Sequence, residues 1–328
     1  MAIESKVNAC RRICQTDLSD NSLFFSLTDY RNNYFISKDP KKVIEFYNGF
    51  ESREQLTQWM KERPKGVANI HEVEGDKDIV VVIPTADFEG KYAKECRNTL
   101  FKGLHIIFVE SAEIPDPYFN GAHNVNVGLK KALEYNSRWV VFSNDDMIFV
   151  DSVDILKREL SKLDTQKIDF ALCSQGKYHT IPSRIAAPLF YRKVIFSILN
   201  HRGFYKERLY LEKKFLIHLF PETENYFFGK HFFKKVGKQF INFGNFVAFN
   251  TNLLISESPF MFDEHYINGV EDHELSFRLF DEGKRFSIIN YRIGDVVGGT
   301  LGLSPERALR DIANLAYFNE KLGYKPLQ

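Results

Sequence analysis

Residues Trp139–Val150 read WVVFSNDDMIFV, two apolar runs separated by a polar turn with two adjacent carboxylates. The first run, Trp139–Phe142, is typical of a strand buried on both faces. Asp145 and Asp146 follow it, and adjacent carboxylates are costly to desolvate unless a positive group lies beside them. Since ligands bind outside the carboxyl ends of strands in open α/β sheets, the pair predicts a site for a divalent cation and a phosphorylated ligand. The alternative is a turn whose aspartates cap the next helix.

The composition fits a globular chain with one large domain or two. Its 328 residues are 44% apolar, which is enough for a sizeable core. The formal net charge of +1 argues against a dedicated nucleic-acid-binding protein. The first residues lack the apolar core of a secretory signal, and no run of about 18 apolar residues predicts a spanning helix. The four cysteines show no C-x-x-C spacing, so reduced thiols and a cytoplasmic location are expected.

Strands and helices alternate around this segment and predict an α/β fold with a mostly parallel sheet flanked by helices. Asp78–Thr85 is a β-branched run typical of a buried strand. The other elements expected before Trp139 are a helix at residues 89–102, a strand at His105–Val109 and a helix at Asn126–Tyr135. The elements expected after it are helices at Asp154–Leu163 and Asp272–Asp281 and strands at Ile168–Cys173, Phe246–Ile255 and Arg285–Tyr291.

The predicted domain, residues 76–303, has a helical appendage before it and a helix after it. The appendage, residues 1–75, carries no recognisable chemistry. Within it, Ser52 and Gln55 fit a capping box at the start of a helix. The C-terminal helix is expected within residues 304–328.

A basic, aromatic insert at residues 177–240 interrupts the predicted domain. It contains 13 Lys and Arg residues, four Glu and no Asp. This composition suits contact with a membrane surface, at the cytoplasmic face, or with a lipid-linked anionic acceptor. The alternative is a helical insert whose apolar face packs on the sheet while its charges remain solvated.

Four motifs in this order resemble the inverting nucleotide-sugar glycosyltransferases of family 2, which have the Rossmann-like GT-A fold. They are Val81–Thr85; Asn126–Leu129 with Ala132; Ser143–Asp146; and Phe262–Glu264 with Glu271–Leu275 and Arg278. The resemblance covers about residues 78–300. It implies a hexosyltransferase-like enzyme that uses a UDP- or GDP-linked sugar, Mn²⁺ or Mg²⁺, and a glycan or lipid-linked acceptor.

The resemblance also implies roles for residues on the donor side. Pro84 and Thr85 are expected to border the nucleotide base, with Asp87 close enough to take part. Glu110 matches the acidic position that contacts the base or ribose, a role that a carboxylate suits because it accepts from hydroxyl and N–H groups. Its alternative is an ordinary loop carboxylate. Asn126 matches a polar position that lines the donor pocket.

The predicted metal site departs from the family pattern at two positions. Asp146 matches the metal-binding Asp of the D-x-D motif, but Asn144 stands where that motif has its first Asp. The cation would therefore depend more on Asp146, Asp145 and the diphosphate. Many relatives also have a metal-binding His near residues 294–300, where this chain has none. Asp295 is a poor match for that position.

On the acceptor side, Asp272 matches the general base of the family. Inverting transfer is a single displacement, so a carboxylate must take the proton of the acceptor hydroxyl as the new bond forms. Glu271 is expected to orient the acceptor or cap the helix, Glu274 is a weaker candidate for the base, and Arg278 is expected to form a structural ion pair. The alternative for Glu271 and Asp272 is an ordinary acidic helix N-terminus.

Two other functions remain open from the sequence. One is a catalytically silent module that binds a nucleotide sugar or glycan at a membrane. The other is a sugar nucleotidyltransferase, which requires a glycine-rich, basic loop after the first strand to hold a triphosphate. Residues Ala86–Glu89 are neither glycine-rich nor basic, which counts against this class.

Overall fold

The structure is a computed structural model. It describes residues 46–47, 49–111, 119–175, 245–257, 261–295, 313–314, 317–318 and 320–321. Most of the predicted appendage, the basic insert at 177–240 and the predicted start of the C-terminal helix lie outside the described residues.

The described ranges contain eight strands and six α-helices. The strands are β1 Ala68–Val73, β2 Asp76–Thr85, β3 Leu104–Ser111, β4 Trp139–Ser143, β5 Met147–Val150, β6 Phe170–Gln175, β7 Phe246–Asn250 and β8 Phe286–Asp295. The helices are α1 Arg53–Glu62, α2 Lys91–Glu95, α3 Gly121–Ala132, α4 Val153–Ser161, α5 Thr251–Glu257 and α6 Glu271–Asp281. A π-helical turn, Cys96–Leu100, extends α2, and a 3₁₀ turn, Leu133–Tyr135, extends α3. In these ranges no helix combines the length and apolar character that crossing a bilayer requires.

Seven strands form one sheet in the order β1-β3-β2-β4-β7-β6-β8, and β5 pairs with the end of β8. The neighbours β3, β2 and β4 are parallel, as are β6 and β8. However, β7 is antiparallel to β4 and β6, β1 is antiparallel to β3, and β5 is antiparallel to β8. The α/β class is thus confirmed, but the sheet is mixed rather than mostly parallel. The reason is that the chain returns after β6 at the same end of the sheet, so β7 runs back beside it.

Both faces of the central strands are buried, as their β-branched sequence predicts. On β2, Val81 faces one apolar cluster with α4, whereas Val82 faces the other cluster with α3. Gly128 allows α3 to lie close to the sheet, because a Cβ atom there would clash with Val82 and would come within 2.9 Å of Val109. The close packing of α3 on β2 and β3 brings its N-terminus to the carboxyl edge of the sheet.

Two predicted boundaries are wrong. The sheet begins inside the predicted appendage, because β1 pairs with β3 from Ala68 to Val73. The predicted strand Phe246–Ile255 ends at Asn250, where α5 begins. The Asn250 side chain accepts a hydrogen bond from the Asn252 N–H at 2.9 Å, which caps the helix and ends the strand. By contrast, the cap of α1 is confirmed, since Ser52 Oγ accepts from the Gln55 N–H at 3.2 Å.

Candidate active site

The predicted metal motif lies where the parallel strands end. Thr85, the last residue of β2, donates its hydroxyl to the Asp145 carboxylate at 2.8 Å. Asp145 and Asp146 are only 5% and 7% exposed, so this turn is buried and is not ordinary surface. The Asn144 N–H donates to the Asn245 carbonyl at 3.0 Å, which fixes the turn to the start of β7. The structure therefore brings together Thr85 and Asp145, two of the predicted site residues.

Cys96 lies against this turn. Its thiol is buried and contacts the Asp145 carbonyl oxygen at 3.3 Å. Burial raises the pKa of this thiol far above its ordinary value, and the negative charges of Asp145, Glu95 and Asp146 raise it further. Cys96 is accordingly an inert, free thiol. A buried region of negative charge at the end of a sheet is an environment that favours a cation.

Asp295 lies nearer to this turn than the sequence match indicates. The backbone of β5 pairs with that of β8, and Met147 is the register partner of Asp295. Met147 directly follows Asp146, so the backbone of Asp295 lies next to the metal motif. No group of three or more His, Cys, Asp and Glu side chains that could hold a metal is found within the described part of the chain.

Glu110 has two partners within the chain. One carboxylate oxygen accepts from the Phe88 N–H at 2.7 Å, and the other lies 2.8 Å from His71 Nε2. The His71 ring stacks on the Phe88 ring, with centroids 4.3 Å apart. His71 is on β1, which the sequence assigned to the appendage, so no sequence signal linked it to Glu110. Each carboxylate oxygen can accept a second hydrogen bond, so these contacts orient Glu110 without excluding a ligand.

Pro84 and Asp87 lie on either side of Thr85, and the contacts described for them are structural. Pro84 is half-buried within β2, opposite Val109 of β3. The exposed Asp87 accepts from the Glu89 N–H at 2.9 Å and holds the turn after the strand. These contacts leave Asp87 at the surface of the carboxyl edge.

Asn126 connects α3 to the predicted acceptor-side motif. Its amide accepts from the Phe262 N–H at 2.9 Å and donates to the Phe262 carbonyl at 2.7 Å and to the Glu264 carboxylate at 3.0 Å. Glu264 also pairs with His123 of α3, at 2.9 Å. Asn126 therefore anchors the segment that leads to α6, and its role in lining the donor pocket stays a prediction.

The turn before α6 has an unusual backbone. Asn268 has φ +44° and Val270 has φ +75°, both in the left-handed region. Such a conformation is a genuine outlier for a β-branched residue and costs about 1–3 kcal/mol. The Asn268 side chain accepts from the Gly121 N–H at 2.5 Å and donates to the Phe119 carbonyl at 2.9 Å. These bonds attach the turn to the start of α3.

Glu271 and Asp272 form the first turn of α6 and are both partly exposed. A Cβ atom on Gly121 would lie 4.0 Å from Glu271 Oε1, so this carboxylate lies near the N-terminus of α3. The dipoles of both helices favour the ionised form of acidic groups here. The structure thus brings Glu271, and with it the start of α6, to the helix that connects β3 and β4.

The predicted structural ion pair of Arg278 is confirmed. It pairs with Glu257 of α5 at 2.6 Å and with Glu274 at 3.5 Å. Glu274 is 1% exposed and pairs with Lys321 at 2.8 Å. A carboxylate held in this way is poorly suited to take a proton from an acceptor, so Asp272 remains the stronger candidate for the base.

Comparisons with known proteins gave no relatives. No family model matches the chain. No curated protein matches it either. The search of solved structures also returned no match.

Proposed function

We propose that this chain is an inverting glycosyltransferase that moves a sugar from a UDP- or GDP-linked donor to an acceptor hydroxyl. The observation that carries the proposal is the buried Asp145–Asp146 pair at the carboxyl edge of the sheet, beside Thr85. Asp272, at the start of α6, adds a second acidic site joined to this edge through α3. Transfer from a nucleoside diphosphate sugar requires a carboxylate site at each end of the reacting centre, one for the diphosphate and one for the acceptor.

The residues at the metal motif fit a divalent cation. Mg²⁺ and Mn²⁺ take carboxylate oxygens and are commonly held by one or two carboxylates together with substrate phosphates. Asp146 and Asp145 supply such oxygens in a buried turn, with Asn144 beside them. When bound, the cation would stabilise the charge that develops on the diphosphate leaving group.

Asp272 would carry out the proton transfer. The acceptor oxygen forms a bond to the anomeric carbon while the bond from that carbon to the diphosphate oxygen breaks. The hydroxyl proton passes to the Asp272 carboxylate, and Glu271 helps to orient the acceptor. The position of Asp272 in the first turn of α6 supports this role, because the helix dipole keeps its carboxylate ionised and able to accept a proton.

The ends of the basic insert support a role for it near the acceptor. β6 ends at Gln175 and β7 begins at Phe246, which pairs with Ser143 at the end of β4. The chain therefore leaves and re-enters the sheet at the edge that carries Asp145. A basic, aromatic segment attached there suits a lipid-linked anionic acceptor or the cytoplasmic surface of a membrane.

One observation favours the catalytically silent binding module as a second candidate. Both oxygens of Glu110 have partners within the chain, His71 and the Phe88 N–H, so Glu110 has a structural role that needs no nucleotide. A module that binds a glycan would use Glu110 in this role alone. A glycosyltransferase would use the remaining lone pairs of this carboxylate when its donor binds.

A thermal-shift screen with UDP, GDP and CDP, with and without Mn²⁺, tests the proposal. A ligand at 100 times its dissociation constant stabilises the folded state by about 2.7 kcal/mol, which is a shift of several degrees. We expect a Mn²⁺-dependent shift with UDP or GDP, together with hydrolysis or transfer of the matching nucleotide sugar. Nucleotide binding without turnover supports the silent module, whereas no shift and no turnover with any nucleotide contradicts the proposal.

A further inference from the structure

A residue of the C-terminal part of the chain, Asn314, is hydrogen-bonded to Ile267, which directly precedes the turn with left-handed residues Asn268 and Val270. Residues 313, 314, 317, 318, 320 and 321 are helical. Asn314 is fully buried, and its amide oxygen accepts from the Ile267 N–H at 2.7 Å. Its amide nitrogen donates to the Ile267 carbonyl at 3.1 Å. One side chain thus satisfies both backbone groups of Ile267.

This contact lies directly before the unfavourable backbone. Asn268 tolerates φ +44°, because Asn visits the left-handed region more readily than most residues. Val270 has no such tolerance at φ +75°, so its conformation has to be imposed by the surrounding structure. Val270 also provides the carbonyl that accepts from the Glu274 N–H at 2.8 Å and so helps to start α6.

Contacts before and within the turn fix its backbone conformation. Upstream, Asp263 accepts from the Tyr317 hydroxyl at 2.9 Å and pairs with Lys321 at 2.7 Å. Within the turn, Asn268 is bonded to α3 at Gly121. Strained backbone persists only where neighbouring groups fix it in this way, and such positions cluster at functional sites.

We propose that Asn314 is a positioning residue for the acceptor-side carboxylates. By holding both backbone groups of Ile267, it keeps Val270 in the left-handed region and thereby fixes the direction in which α6 begins. The assignment of Asp272 as the base that is positioned rests on the proposed function. The inference that Asn314 fixes the conformation of the turn does not depend on the proposed function.

Two substitutions separate positioning from simple loss of stability. Asn314→Ala removes both bonds to Ile267, so amide hydrogen exchange across residues 266–272 should become faster. Turnover should fall about 10- to 100-fold, since a misplacement of about 1 Å can cost that much, while Kd for the nucleotide stays unchanged. Adding Val270→Gly should recover a large part of the lost turnover, because glycine adopts positive φ without strain. Because relief of this strain also stabilises the fold, the turnover of each variant is measured under conditions in which urea titration shows that it is fully folded. A merely structural role for Asn314 would then leave turnover at the parental value.

Lys61→Ala provides the matched control. Lys61 pairs with Glu320 at 2.9 Å and lies 5.8 Å from the centre of the Tyr317 ring, so it joins α1 to the same C-terminal segment without a hydrogen bond to Ile267. This pair is solvent-exposed and contributes little, so neither exchange at 266–272 nor turnover should change. If Asn314→Ala does not fold, Asn314→Ser replaces it. That variant loses the paired contact with both backbone groups of Ile267 without burying a charge, so faster exchange at 266–272 is still expected.

The outcomes distinguish this inference from the proposed function. Unchanged exchange at 266–272 in Asn314→Ala overturns the inference, whatever the activity. Faster exchange with parental turnover overturns the positioning of Asp272 alone, as does a turnover loss that Val270→Gly cannot rescue. If the parent protein shows no transfer, the proposed function fails, and the exchange data still decide whether Asn314 holds the turn.

Discussion

Asn126→Ala tests the anchor between α3 and the acceptor-side segment. The substitution removes hydrogen bonds at 2.9 and 2.7 Å to the Phe262 backbone and one at 3.0 Å to Glu264. Leaving a buried polar group unsatisfied costs about 1–3 kcal/mol. In Asn126→Ala the N–H and the carbonyl of Phe262 both lose their hydrogen-bond partner. Glu264 retains its contact with His123. A total destabilisation of about 2–4 kcal/mol is therefore expected for the two groups together, measured as the change in free energy of unfolding in urea.

Asn124→Ala is the control for that experiment. Asn124 is the same residue type on the same helix and is also buried, but its side chain makes a long bond of 3.5 Å to the Val109 carbonyl in place of the three shorter bonds of Asn126. The volume lost is the same in the two variants, so the difference between them isolates the hydrogen bonds. We expect Asn126→Ala to be less stable than Asn124→Ala by at least about 1 kcal/mol. Equal losses of stability would refute the anchoring role.

Three further predictions concern charge. Burial raises the pKa of Asp263, but hydrogen bonds from His265 and Lys321 outweigh this and hold the pKa below its ordinary value. Asp263→Asn should therefore destabilise the fold at neutral pH. Urea titrations should show that this loss of stability shrinks as the pH falls below about 4. A penalty independent of pH would argue against the pairing. Asn144→Asp should maintain or strengthen Mn²⁺ affinity in calorimetry, because it adds an anionic ligand, and a weaker affinity contradicts its place at the motif. The full chain should sediment with anionic liposomes less as salt rises, and no binding at low salt removes the membrane role of residues 177–240.

The core strands were predictable because their sequences are nearly continuous apolar runs. Ile79–Ile83 and Trp139–Phe142 are buried on both faces, and only a central strand satisfies such a pattern. The start of α6 was predictable for a different reason, since acidic residues favour a helix N-terminus. In both cases the local sequence alone determines the element.

The missed features depend on residues distant in sequence. β1 contains only exposed and half-buried residues, and its pairing with β3 makes it a strand. His71 approaches Glu110 through that pairing, so no local motif could link them. Likewise, Asn314 meets Ile267 across 47 positions, and the left-handed φ of Val270 has no signature in a β-branched residue. Long-range contacts of this kind decide how the candidate site is held.

The central claim is that separate carboxylates serve the donor and the acceptor, and Asp146→Ala beside Asp272→Asn tests it most directly. The measurement is turnover of the nucleotide sugar identified by thermal shift, together with nucleotide affinity by calorimetry with and without Mn²⁺. Asp272→Asn should lower turnover by about 10²- to 10⁴-fold and leave nucleotide affinity unchanged. Asp146→Ala should abolish the Mn²⁺-dependent part of the affinity in a folded protein. Turnover of Asp272→Asn within a few-fold of the parent, or unchanged Mn²⁺-dependent affinity in Asp146→Ala, would contradict the claim.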